Sequence, residues 1–316
     1  MIDTLQIIGI PIFVFLVVAV FARVMADSTS RFSILDHPNE RSLHTQPTPR
    51  TGGVAMVAGI ITGVLVLLLV FKLDIPTPAG WLLGLGLAIA MVSFFDDRRH
   101  LSVIYRITAH IVAAGLLVYG GMVFKVMRMP GVEWAMAGWL TGLVAVLFIV
   151  WMTNLYNFMD GMDGFAGGMA LIGFGALALF GLLAGNSGYA ALNLIVASAA
   201  AGFLVFNFPP ARIFMGDTGS STLGFLAAGL SLWGDGMGIL PLWAAVLVFS
   251  PFIVDATVTL IRRIFRGERF WLAHKTHYYQ RLVQMGWGHR KTVLVEYILM
   301  VGCAVSAVVA VRVMPT

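Results

Sequence analysis

The chain has 316 residues, of which 59% are hydrophobic and only 11% charged. Soluble domains run near ~25% charged, so a mean hydropathy of +0.91 excludes an ordinary cytosolic fold, and disorder with it. Twenty Lys and Arg against fifteen Asp and Glu leave +5, which in so apolar a chain reports loops facing anionic lipid or substrate phosphates rather than nucleic acid.

A helix needs about 20 apolar residues to cross a hydrocarbon core of ~30 Å. Ten stretches qualify, at about 6–24, 53–71, 80–95, 103–121, 135–153, 165–184, 189–206, 219–234, 238–261 and 292–312. The expected fold is therefore an all-α, polytopic integral membrane protein of about ten transmembrane helices, with a single domain over 1–316. The first stretch carries Asp3 where a signal peptide is basic, and Arg23 follows its apolar run, so it reads as a retained span. Termini and even-numbered loops hold four positive charges, Lys72, Lys125, Arg128 and Arg312. The other sixteen fall on the odd-numbered side, including Arg31, Arg41, Arg98, Arg99 and a dense set from Arg262 to Lys291. Positive-inside bias then puts both termini outside and the loops 25–52, 96–102, 154–164, 207–218 and 262–291 in the cytoplasm. Glycines such as Gly181 and Gly185 have the small-xxx-small spacing that suits close helix packing. The one cysteine, Cys303, lies in an apolar run, which leaves out disulfides and Cys-built metal sites.

Five acids sit against membrane ends on that cytoplasmic side: Asp96, Asp97, Asp160, Asp163 and Asp217. Carboxylates at such a boundary are costly unless paired, hydrated or bound to metal, and a shared cation would let them tolerate one another. Asp96-Asp97-Arg98-Arg99 closes the third span, either as a hydrated helix end or as a Mg²⁺ or general-base site. Asn154 to Gly164 carries polar groups every three residues, with two Asp-Gly steps that break the helix as it leaves the membrane. An Asx-rich loop explains the Asp-Gly pairs but not Asn154 and Asn157 so close to an apolar run. In Gly216-Asp217-Thr218-Gly219-Ser220-Ser221, glycines flank an Asp and hydroxyls open the next span. Helix N-terminal amides favour phosphate, and Asp217 could hold a metal that bridges it, while simple N-capping accounts nearly as well for Ser220.

The last loop adds Arg262, Arg263, Arg266, Arg269, His274, Lys275, His277, Arg281, Arg290 and Lys291. Much of this is topological charge. His274 and His277 lack a third metal ligand, so phosphate contacts are the better reading. The first loop, from His37 through Asn39, Glu40 and His44 to Pro49-Arg50-Thr51-Gly52-Gly53, is too Pro-rich to be one helix, and its cations point the same way. Asp255 lies within the ninth span, about two turns from Arg262, and either lines the cytoplasmic cavity or pairs structurally.

Together these motifs resemble the polyprenyl-phosphate N-acetylhexosamine-1-phosphate transferases, glycosyltransferase family 4, whose superfamily includes the phospho-MurNAc-pentapeptide translocase. The resemblance runs from His37 to Arg281 through the Pro49–Gly53 loop, the Asp96-Asp97 pair, the Asn154–Gly164 stretch, Gly216-Asp217-x-Gly219-Ser220 and the late His loop, five motifs in family order. It implies an inner-membrane enzyme with its site on the cytoplasmic face, a UDP-amino sugar, undecaprenyl phosphate and Mg²⁺, with Mn²⁺ as a substitute; a homodimer is compatible with it. It assigns Asp217 to the metal and Asp96 and Asp97 to lipid-phosphate activation or metal binding. The stretch with Asn154, Asn157, Asp160 and Asp163 goes to the nucleotide and catalytic site, and His274, His277 and Arg281 to the sugar nucleotide. Arg50, His44 and Ser220 complete the expected substrate contacts.

The late motif reads His274-Lys275-Thr276-His277-Tyr278-Tyr279-Gln280-Arg281, without the His-rich run of the peptidoglycan branch. That looks closer to initiators of O-antigen and other polysaccharides that use UDP-GlcNAc or a 6-deoxy sugar such as FucNAc. Arg99 and His100 also stand where the peptidoglycan enzymes have a lysine. Direct attack by the lipid phosphate, with Asp97 or Asp96 removing any proton, and a covalent aspartyl intermediate both remain open. A secondary transporter would gather carboxylates at mid-membrane in repeated halves, and neither feature is present. A CDP-alcohol phosphotransferase would continue Asp163-Gly164 differently.

Overall fold

In hydrocarbon the backbone has no water to bond to, so apolar runs of this length satisfy themselves as helices. The computed structural model describes residues 4–30, 33–38, 42–72, 74–99, 101–124, 126–129, 131–268 and 274–313. Arg31, Asn39, Glu40, Arg41, His100, Lys125 and Arg269 lie outside them. In chain order come α1 (Thr4–Met25), the antiparallel pair β1 (Leu35–Asp36) and β2 (Thr48–Pro49), α2 (Gly52–Leu65) with a wider π-type turn after it, α3 (Thr77–Arg99) and α4 (Val103–Tyr119). A hairpin of β3 (Val126–Met129) and β4 (Val132–Ala135) follows, then α5 (Gly138–Phe158), α6 (Phe165–Leu183), α7 (Ser187–Asn207) and α8 (Gly216–Gly236). The chain ends with α9 (Leu242–Val248), α10 (Ser250–Phe265), α11 (Tyr278–Leu282) and α12 (Gly288–Val313). The two small ribbons are additions to the expected all-helical fold, in segments too short and irregular to show strand alternation.

Among the described residues, seven helical stretches are long and apolar enough to cross a membrane, or eight if α9 and α10, bent by 79°, form one span. The difference from ten stretches is α4, short at 17 residues, and α8. Helix α8 has 21 residues but opens with Asp217, Thr218, Ser220, Ser221 and Thr222. It can be polar because it does not face lipid: every residue from Thr218 to Asp235 is buried, and it packs on α2, α3, α5 and α6.

Glycines permit that enclosure. A Cβ on Gly219 would stand 2.8 Å from the Gly53 Cα of α2, one on Gly224 would stand 2.5 Å from the Met152 carbonyl oxygen of α5, and one on Gly229 would stand 2.2 Å from a Leu82 methyl of α3. Each neighbour thus approaches α8 over its own glycine. Of the pair Gly181 and Gly185, only Gly181 works in this way, against Ala190; Gly185 has φ +71° and turns the chain after α6.

Helix ends differ from the expected loop limits by up to about a turn. Helix α3 runs on through Asp96 and Asp97, α5 carries Asn154 and Asn157 on its last turns, and α8 begins early enough to include Asp217. These helices outrun their apolar stretches because the polar last turns have partners inside the protein.

A methyl at Gly53 would lie 2.2 Å from the Gly219 nitrogen, and backbone cannot move aside cheaply. Gly53→Ala should therefore lower stability by at least ~1–3 kcal/mol, seen as a lower thermal midpoint in detergent. Gly175→Ala, with nothing within 4 Å, should not lower it. Equal midpoints for the two variants would refute the close α2–α8 contact.

Candidate active site

Three helix ends meet at one end of the bundle. The carboxylate of Asp97, on the last turn of α3, accepts the backbone N–H of Asp217 at 3.0 Å on one oxygen. Its other oxygen accepts the N–H of Thr218 at 2.9 Å and the Thr218 hydroxyl at 2.6 Å. Asp96 accepts the Leu101 N–H at 2.7 Å and Arg106 Nη1 at 2.8 Å. The same Arg106 nitrogen donates to Asp217 Oδ2 at 3.0 Å, so one guanidinium from α4 holds two carboxylates. The second oxygen of Asp217 accepts Asn157 Nδ2 at 2.8 Å, and that amide also reaches Ser220 Oγ at 3.2 Å. Ser220 is fully buried and donates to the Gly216 carbonyl; it braces the turn that carries Asp217.

Beside this knot lies a polar cavity of about 270 Å³, lined by His44, Arg50, Asp97, Asn157, Asp160, Asp163 and Asp217 with Asp36, Gln280 and His289. Arg50 donates to the main-chain carbonyl of Asp97. His44 lies 3.7 Å from Asp36 and edge-on to Phe214. Asp163 binds structure on both sides, accepting the Ala211 N–H at 3.0 Å and standing 3.0 Å from His289 Nδ1 on α12. Asp160 is different. Among the described residues its carboxylate accepts no hydrogen bond, and burial, then the charges of Asp217, Asp97 and Asp36, push its pKa well above the ordinary range.

A second space of about 570 Å³ adjoins the first and is mostly apolar. Val103, Arg106 and Ile107 of α4, Leu147, Val150, Trp151, Asn154, Asn157 and Phe158 of α5, Ala256 and Leu260 of α10, and His274 and His277 of the late loop line it. Asn157 belongs to both spaces. Asn154 donates to Val150 O and touches His110 Nδ1 at 3.3 Å. The two histidines thus face the groove and not the carboxylate cavity. Arg281 is exposed on α11 and lines neither space.

Asp255 pairs structurally, but with the late loop and not with Arg262. It accepts His277 Nδ1 at 3.1 Å and the N–H groups of Tyr278 at 3.0 Å and Tyr279 at 3.2 Å, capping α11 from another helix. Arg262 instead donates to the Tyr278 hydroxyl at 2.8 Å.

The residues fit a divalent cation in the manner of Mg²⁺. That ion is commonly held by one or two carboxylates together with substrate phosphates rather than in an all-protein cage, and among the described residues no group of three or more His, Cys, Asp and Glu forms such a cage. Asp217 and Asp160 are the carboxylates that suit it; a cation between them would offset the carboxylate charge that, after burial, helps to raise the Asp160 pKa. Asp97, filled by donors from α8, suits it less.

Sequence reasoning passed over Arg106, His110, His289 and Asp36. Arg106 left a signal, since a cation inside an apolar run is functional by default; His289 left none, its partner Asp163 being remote in the chain.

The family model for glycosyl transferase family 4 matches residues 80–235. A probable undecaprenyl-phosphate N-acetylglucosaminyl 1-phosphate transferase of Bacillus subtilis is 30% identical, over 93% of this chain and 82% of its own length. A decaprenyl-phosphate N-acetylglucosaminephosphotransferase of Mycobacterium tuberculosis is 33% identical over 85% of this chain and 74% of its own. A phospho-N-acetylmuramoyl-pentapeptide-transferase of Bacillus licheniformis is 28% identical, over 78% of each chain. The chain belongs to glycosyl transferase family 4 and is a polyprenyl-phosphate sugar-1-phosphate transferase, a multi-pass integral membrane enzyme. The transporter and CDP-alcohol alternatives fall away with that.

Burial, aided by His277 and Arg263, pushes the His274 pKa from 6.5 down to about 4. His274 is therefore neutral at pH 7, and between pH 6.5 and about 4 the unfolded chain takes up a proton that the folded one refuses. Folding is stabilised above that window and loses the contribution as pH falls through it. His274→Gln should lower the thermal midpoint less than wild type on going from pH 7 to pH 5; parallel losses would refute the shift.

Proposed function

We propose that this enzyme transfers N-acetylhexosamine-1-phosphate from a UDP-sugar to undecaprenyl phosphate, giving undecaprenyl-diphosphate-sugar and UMP. The sugar is GlcNAc or a 6-deoxy-N-acetylhexosamine such as FucNAc, and the product initiates O-antigen or another envelope polysaccharide. The observation that carries this reading is the meeting of two unlike spaces at Asn157, one polar and ringed by carboxylates, the other apolar, with Arg106 at the junction. A nucleotide sugar suits the first and a prenyl chain the second, so the lipid phosphate comes to rest by Arg106 and Asn157. The names of the Bacillus subtilis and Mycobacterium relatives favour GlcNAc, and the late motif, with Tyr279 and Gln280, disfavours a muramoyl-pentapeptide donor.

Asp217 and Asp160 would hold Mg²⁺, which supplies charge neutralisation to the diphosphate. The chain's own residues do the rest. Arg106 and Asn157 orient the lipid phosphate, and Arg50 and His44 stand on the nucleotide side. A phosphate oxygen of the lipid attacks the sugar-linked phosphorus, a new P–O bond forms, and the bond to UMP breaks with UMP taking the electron pair. A phosphate's second pKa is near 6, so the attacking oxygen is already mostly ionised at pH 7 and positioning contributes more than a side-chain base. The site lies at the cytoplasmic face of the inner membrane, with α4 and α8 also crossing to make ten spans and both termini outside, as the sixteen-to-four charge bias favours.

Purified protein incubated with Mg²⁺, undecaprenyl phosphate and a panel of UDP-N-acetylhexosamines should release UMP and form the lipid-diphosphate sugar. Release of UDP would mean transfer of the sugar alone and would overturn the reading. Asp217→Asn should cut kcat by ~10²–10³. Arg106→Ala should raise the half-saturating lipid concentration by about tenfold or more, as expected for one lost charged hydrogen bond, and should also lower kcat because Arg106 holds Asp217. An unchanged half-saturating lipid concentration would remove Arg106 from the lipid phosphate.

A further inference from the structure

We propose that Asp97 and the Pro49–Gly53 segment form a clasp that sets the height and rotation of α8, and so the place of Asp217, and that Asp97 is a positioning residue instead of the base or an ion ligand. The inference rests on the reading of Asp217 given above. Its first ground is saturation. Asp97 is only 3% exposed, and one of its oxygens already carries both donors of Thr218 while the other carries the Asp217 amide and lies 3.9 Å from Arg50 Nε. A general base needs a lone pair aimed at the proton it removes, and the one that remains on Asp97 faces Arg50.

The second ground is the geometry of the joint. Phe214 donates to Pro49 O at 2.7 Å, Gly52 to Phe214 O at 2.9 Å and Gly53 to Met215 O at 2.8 Å, so the Pro-rich loop is stitched by backbone to the residues just ahead of α8. Gly216 then turns the chain at φ +69°, where a side chain would meet Arg50 O at 2.5 Å and both Asp97 oxygens at 3.0 Å. Only glycine lets α3, the loop and α8 close on one another here.

The third ground is what the rest of α8 lacks. Its glycine-notched flanks are held by close steric contact, which sets how near its neighbours stand but gives its first amides no hydrogen-bond acceptor. A carboxylate on its first free amides is directional, and it also complements the positive end of the helix dipole. The same Asp97 is fixed from behind, because Arg50 donates to its carbonyl.

The test combines hydrogen–deuterium exchange of the substrate-free protein, over peptides covering 215–223, with the Mg²⁺ concentration giving half-maximal rate. Thr218→Val keeps the shape and removes one donor; Thr218→Ser restores it. Thr218→Val and Asp97→Asn should each speed exchange at the Asp217 and Thr218 amides by about tenfold or more, the loss expected for one charged hydrogen bond, and should raise the Mg²⁺ requirement. Thr218→Ser should match wild type in both, and Asp160→Asn should leave exchange unchanged. The clasp is overturned if Thr218→Val behaves as wild type, or if Asp97→Asn slows turnover with exchange unaltered, which would mark a direct chemical role. Exchange needs no substrate, so a wild-type protein that turns over no donor would count against the proposed reaction and leave the clasp to be judged on exchange alone.

Discussion

A helix that begins with an acid and a row of hydroxyls, closed on all sides by other helices, is the constraint on which this structure turns. Inside a membrane protein every polar group of such a helix needs a partner from the protein itself. Asp97 takes the first amides of α8, Asn157 and Arg106 take the Asp217 carboxylate, and Ser220 closes on its own turn. Glycines at 53, 219, 224 and 229 then let apolar neighbours press against the helix until no lipid or bulk water remains there. The carboxylates are thus held at a defined spacing by steric packing and directional hydrogen bonds together.

The second half of the site is organised by the same rule at greater distance. Asp255 in α10 has its charge answered by a histidine and two amides of α11. Asp163 is answered by the Ala211 amide and by His289 at the start of α12. In both cases an acid binds a later part of the chain in place, so the last loop and helix become walls of the groove and cavity. The buried residues of that region serve architecture.

The carboxylate cluster was legible from sequence because Asp96, Asp97, Asp160, Asp163 and Asp217 all stand where apolar runs stop, and one charge bias puts those stops on one side. The ends of the helices were legible only to about a turn, since apolarity ends before hydrogen bonding does: Asp96, Asp97, Asn154 and Asn157 remain helical on the strength of partners from other segments. Arg106 was hidden as one more positive charge among sixteen, although its apolar neighbours marked it. The division of labour between the two spaces was beyond reach, because the face that His277 presents depends on Asp255, more than twenty residues earlier. The short ribbons carry too few residues for any periodicity to register.

The sharp bend between α9 and α10 shapes how a very long lipid meets such a protein. Because α10 leaves the line of α9 by 79°, its Ala256 and Leu260 form one side of a groove whose other sides are α4 and α5. A tail seated there occupies the groove over only part of its length, and whatever extends further lies in bilayer hydrocarbon, as it did before binding. That remainder contributes the same free energy bound and unbound and drops out of the affinity. In the proposed reaction, recognition would then belong to the phosphate and the first stretch of chain beside it, and lipids that differ only at the far end of the tail would be equivalent to this site.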